Sequence, residues 1–173
     1  AYDRGYLTLN PLKVMGLYSF IALGVLGLAW ASVPVNKSRL RRASDSALIS
    51  FSGPATNLGL ALVFALVAAV SIKITGEDAG GMEQAFAVFF KVGVSANAFL
   101  ALLNILPVPF LDGWDVFTYF VPEARRLSEQ TQGYITLGVI LGLIFLDGFP
   151  MLFMLSGKFA GVTIGFFKAI LGG

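Results

Sequence analysis

Residues 104–114 read NILPVPFLDGW. They follow the apolar run AFLALL and precede DVFTYFV, so an acidic side chain, Asp112, stands behind two prolines in a greasy region. Pro107 and Pro109 remove two backbone N–H donors and restrict φ, which predicts extended, non-helical backbone. Gly113 permits a tight turn or a close approach of another backbone. An unwound segment at membrane depth is tolerated only where protein or a water-filled cavity satisfies it. An ionisable side chain in a membrane segment costs about 2.5–3.5 kcal/mol on insertion scales and marks function by default. A carboxylate so placed seeks a cation. On zinc it would be one of three protein ligands, with water in the fourth position. The plainer reading is that Asp112 caps a helix starting near Trp114 by accepting a backbone N–H.

The rest of the chain sets the context for that choice. Its 173 residues suit one domain. They are 57% hydrophobic and only 13% charged, with a mean hydropathy of +0.81. A soluble domain carries about twice that charged share, so the chain reads as an integral membrane protein whose first partner is the lipid bilayer. There is no cysteine, which excludes disulfides and thiolate metal sites. There is no histidine either, which removes imidazole bases, Ser-His and Cys-His pairs, and any His-containing metal site built from this chain alone. The net charge of +2 is small, and no run interleaves Lys/Arg with aromatics, so nucleic acid is not an expected partner. The opening AYDRGYLTLNP lacks the basic n-region and apolar stretch of a signal peptide. With Ala at the first position, the chain is expected to begin partway into a longer gene product.

Hydropathy then predicts the spans. Residues 7–11 (LTLNP) and 33–36 (VPVN) read as short extended segments, the first because Asn10 precedes a proline. Residues 17–33 are uncharged but at the short limit for a bilayer. Residues 47–72, without a charge, are the clearest transmembrane helix, and 84–106 are another. DVFTYFV is expected at an interface, and 122–132 are the most soluble-looking piece. Residues 134–146 with 149–155 are expected to form one last span broken by DGFP, and the tail 157–173 is either a short span or an interfacial helix. Cytoplasmic loops carry excess Lys/Arg. KSRLRR (37–42) and EARR (123–126) are separated by two spans and so share the cytoplasmic side, with the acidic GEDAGGME (76–83) opposite.

NILPVPFLDG resembles the N-x-x-P-x-P-x-L-D-G signature of the site-2 protease family of intramembrane zinc metallopeptidases. Asn104, Pro107, Pro109, Leu111, Asp112 and Gly113 match all six defining positions. Three further segments are similar to that family in the same order. They are LTLNPL at 7–12, VPVN at 33–36, and SGPATN at 52–57, which matches a G-P-x-x-N motif. The resemblance implies a multi-pass, all-α membrane protein. It would be a site-2 protease-like helical bundle with short extended segments near the active site, in a bacterial inner (plasma) membrane. It would form a single transmembrane domain over 1–173, with a core at about 7–120 and a C-terminal helical region at about 134–173.

The resemblance also implies a protease that cuts transmembrane segments of membrane protein substrates. In the family, two histidines of an H-E-x-x-H helix and the Asp of L-D-G bind zinc, and the Glu activates water. Asp112 would then be the metal ligand of this chain and Asn57 a catalytic neighbour, unless Asn57 only packs helices together. Gly53, Pro54, Asn104, Pro107, Pro109 and Gly113 would support the site or bind substrate, and the extended segments could pair with an unwound substrate. The departure is the missing H-E-x-x-H helix, expected upstream of the first residue. The alternative is a proteolytically inactive homologue acting as a structural or scaffold subunit among partner subunits. Asp115 reads as a first-turn helix acid, and Lys91 as a cation that snorkels or faces the bundle.

Overall fold

The computed structural model describes residues 42–76 and 80–172. The chain divides into two compact units, Ala1–Arg42 and Ala43–Gly173, and every described residue except Arg42 belongs to the second. That unit contains α1 (Ala43–Thr75), α2 (Gly81–Asn104), α3 (Asp112–Phe120), a 3-10 turn (Pro122–Arg126), α4 (Glu129–Phe145) and α5 (Gly148–Ile170). No strand occurs among the described residues, in line with the all-α expectation. The predicted extended segments at 7–11 and 33–36, and the span at 17–33, lie outside the described residues.

α1, α2 and α5 are long and apolar enough to cross a membrane. In α1, Asp45 in the first turn and Lys73 in the last each complement the end of the helix dipole they occupy. The three helices meet mostly through alanines, Ala61, Ala65, Ala68 and Ala69 of α1, Ala87 of α2 and Ala160 of α5, with Val94 of α2 and Ile164 of α5 among them. Lipid tails are as apolar as leucine, so helices in a bilayer gain by close van der Waals approach, and alanine permits it. Phe64 and Phe90 pack edge to face beside this core, with ring centroids 5.3 Å apart. The large apolar side chains point outward instead, as Leu62, Val63, Phe89 and Phe166 do. Contacts between Phe99 and Phe153 at one end and between Lys73 and the Leu171 carbonyl at the other run α5 antiparallel to α2 and parallel to α1.

The C-terminal third differs from the expected single broken span. Ser128 caps α4, its Oγ accepting from the Thr131 N–H at 3.2 Å. At 1.5 Å per residue α4 is about 25 Å long, short of a hydrocarbon core of about 30 Å. Asp147 then turns the chain with φ +56°, and α5 starts at Gly148 with Pro150 in its first turn, where a missing N–H costs nothing. DGFP is therefore a junction between two helices. The tail is the body of α5, continuous with 149–155, and not a separate short span.

Candidate metal centre

The first third of α1 presents Ser46, Ser50, Gly53 and Asn57 at intervals of four, three and four residues, which places them on one helix face. α3 lies along this face in the opposite direction. Asp115 meets the earlier part, its Oδ2 accepting from Ser46 Oγ at 3.2 Å and from Ser50 Oγ at 3.0 Å. Asp112 meets the next turn. A Cβ added to Gly53 would stand 2.6 Å from Asp112 Oδ2, so the carboxylate rests directly on the bare α-carbon of that glycine. Two stretches that sequence separates by about a third of the chain, SGPATN and NILPVPFLDGW, thus form one site.

The capping reading of Asp112 does not hold. The N-cap of α3 is Leu111, with extended backbone and no side-chain cap. Asp112 is the first helical residue, and its side chain makes no hydrogen bond among the described residues. It is half-buried and feels the negative charge of Asp115. A partly desolvated carboxylate beside a second one is stabilised by a cation.

The segment that delivers Asp112 is built differently from the extended strand expected of it. Val108 N–H donates to the Leu106 carbonyl at 2.8 Å and Leu111 N–H to the Val108 carbonyl at 3.1 Å, so 105–111 forms successive tight turns. The prolines remove two donors, and these remaining N–H groups find acceptors inside the segment. Phe110, between the second proline and Leu111, takes a left-handed φ of +71°. Gly113 is buried, and a Cβ there would stand 2.3 Å from the carbonyl oxygens of Ile105 and Leu106. Close backbone approach is therefore its role. Pro109 is fully buried, and its carbonyl accepts from Thr136 Oγ1 of α4 at 3.1 Å. Pro107 is exposed.

The remaining predicted site residues lie nearby with different environments. Pro54 is buried inside α1, where it has no N–H for the Ser50 carbonyl. Asn57 is half-buried one turn beyond Gly53 on the same face, and Asn104 is half-buried at the end of α2. Neither side chain makes a hydrogen bond among the described residues. Lys91 lies elsewhere, lining a cavity of about 530 Å³ between α1, α2 and α5 with Gln84, Ser95 and Lys168. Sequence reasoning missed Ser46, Ser50 and Thr136, although the four-residue spacing of the two serines ahead of SGPATN was visible.

Zinc fits Asp112 as a single ligand, because this carboxylate does not cap a helix and no donor among the described residues holds it. The described residues contain no group of three or more His, Cys, Asp or Glu that could hold a metal ion. Asp115, the nearest other acid, already accepts from two hydroxyls.

The sequence is similar to known proteins. The model of Peptidase family M50 matches residues 17–146. Several similar bacterial proteins carry the name "Putative zinc metalloprotease". YwhC of Bacillus subtilis is 31% identical over 149 residues, 81% of this chain and 66% of that protein. Rip2 of Mycobacterium tuberculosis (strain H37Rv) is 34% identical over 176 residues, 95% of this chain and 61% of that protein. Rip2 of Mycolicibacterium smegmatis is 33% identical over 153 residues, 82% of this chain and 54% of that protein. The chain thus spans between about half and two thirds of the length of these relatives. No solved structure matches it.

Proposed function

This chain belongs to peptidase family M50, the site-2 protease family, and from that premise we propose that the full-length protein is an intramembrane zinc metalloprotease. Its substrates are transmembrane segments of other membrane proteins. The observation that carries the reading is Asp112, a half-buried carboxylate seated on Gly53 with no hydrogen bond to occupy it among the described residues. Zinc, when bound, would polarise the scissile carbonyl and acidify a water. Asp112 would hold the metal from this chain, and histidine ligands, absent from these 173 residues, would have to be supplied from outside them. Asn57, one turn along α1 with its amide unpaired among the described residues, is available to donate to a substrate carbonyl. Gly113 and Pro109 anchor the turn that carries Asp112. The protein is multi-pass in a bacterial inner membrane. Its basic loops are cytoplasmic, and α3 returns EARR to the end where α1 begins.

A proteolytically inactive scaffold subunit is the competing reading, favoured by the absence of histidine from the chain. Metal analysis of the full-length protein with and without Asp112→Ala decides between them. One equivalent of zinc, lost in the variant together with cleavage of a transmembrane reporter, supports the protease. Zinc retained by Asp112→Ala refutes the ligand assignment, and a wild-type protein with neither zinc nor cleavage is the scaffold.

A further inference from the structure

Asp112 and Asp115 stand one turn apart at the start of the same nine-residue helix, yet they meet different partners. Asp115 Oδ2 receives two hydroxyl donors from α1, whereas Asp112 receives none among the described residues. Hydrogen bonds to an ionised acceptor are roughly twice as strong as neutral ones, and here two converge on one oxygen. Ser46 and Ser50 each have an alternative acceptor in the carbonyl four residues back, but both reach across to α3. The contact spans 65 and 69 residues of sequence. It therefore fixes the relation between two helices and contributes nothing to either one alone. Because α3 is short and runs antiparallel to α1, gripping Asp115 against Ser46 and Ser50 sets where Asp112 falls one turn further on, at Gly53.

We propose that Asp115 is a positioning residue, clamped by Ser46 and Ser50 so that α3 docks with the Asp112 carboxylate over Gly53. The proposal rests on the reading of Asp112 as a metal ligand. Groups that orient a metal ligand typically contribute 10–100-fold to metal affinity, and the clamp does so from the ligand's own helix.

The test uses the full-length protein with Co(II) alone as the probe, read by its visible absorption, beside thermal melting of the metal-free protein. Asp115→Ala and the double variant Ser46→Ala/Ser50→Ala are each expected to weaken Co(II) binding by roughly 10–100-fold. The triple variant should bind no more weakly than the worse of them, because all three residues serve one contact. Asp115→Asn, which keeps an acceptor oxygen, should stay closer to wild type than Asp115→Ala. Melting of the metal-free protein should show the same non-additivity.

Additive melting losses overturn the clamp itself. Non-additive melting with unchanged Co(II) affinity overturns the positioning role and leaves a packing contact. A wild-type protein that binds no Co(II), or an Asp112→Ala variant that binds it equally well, refutes the ligand reading and the positioning role with it. In that event the melting cycle still decides whether the clamp exists.

Discussion

Replacing Gly53 by alanine asks whether α1 seats the Asp112 carboxylate. The new Cβ would stand 2.6 Å from Asp112 Oδ2, and ordinary contact begins near 3.4 Å, so the oxygen must retreat by about 0.8 Å. What it meets is the end of a side chain, with Asp112 Cγ already 3.5 Å away. The carboxylate can therefore swing aside without moving either helix. The backbone effect is mixed, since alanine favours a helix interior over glycine by about 1 kcal/mol while its Cβ at position 53 crowds the ring of Pro54 that follows. The two backbone terms roughly offset, so the protein should still fold while its ligand is displaced. A misplacement of about 1 Å at a reacting centre costs on the order of 10²-fold in rate. The assay is cleavage of a transmembrane reporter by purified full-length protein, with zinc content and melting temperature measured on the same sample. Gly59→Ala is the control, because a Cβ added there on the same helix meets nothing within 4 Å. It should leave rate and zinc unchanged. Wild-type rate and zinc in Gly53→Ala would refute the seating of Asp112 on this glycine. A collapse in melting temperature would refute the claim that only a side chain stands in the way.

Gly113→Ala should behave differently, because its Cβ would strike two backbone carbonyl oxygens at 2.3 Å. Neither can swing aside, so destabilisation of about 1–3 kcal/mol or more is expected, seen as a lowered melting temperature even without metal. Thr136→Val removes the hydroxyl that holds the Pro109 carbonyl and should cost about 1 kcal/mol. An unchanged melting temperature would mean that α4 does not brace the turn. Removing metal with a chelator should leave far-ultraviolet circular dichroism unchanged, since the contacts among α1, α2 and α5 do not involve Asp112. Loss of helix on chelation would contradict that separation of core and site.

Much of the fold was legible because α1 and α2 are encoded by length. Residues 47–72 have no charge, and the helix found extends only a few residues past each end. The C-terminal third was misread because hydropathy records polarity and ignores backbone geometry. Residues 134–155 are apolar on both sides of DGFP, so they summed to one span. The break itself is a left-handed Asp147 followed by a helix that admits a proline only in its first turn. The Pro-rich segment was misread for a related reason. Counting the missing donors of Pro107 and Pro109 predicted an extended strand, but the surviving N–H groups of Val108 and Leu111 were free to close turns. Proline restricts φ and removes a donor, and the neighbouring residues then decide the path.

The site shows a sharper limit. The local residues alone left a helix cap open for Asp112, and it was the resemblance of NILPVPFLDG to the family signature that singled it out. Nothing local separates the chemistry of Asp112 from that of Asp115, which shares its charge, its helix and its distance from the turn to within three residues. What separates them is donated from 65 and 69 residues away, by two serines that read as unremarkable polar positions at the head of a long helix. A carboxylate becomes available to a cation when nothing else satisfies it, so the role proposed for Asp112 depends as much on its neighbour being occupied as on its own surroundings. Sequence patterns report spacing along one chain segment, and which of two adjacent acids is left unpaired is settled only when α3 docks on α1.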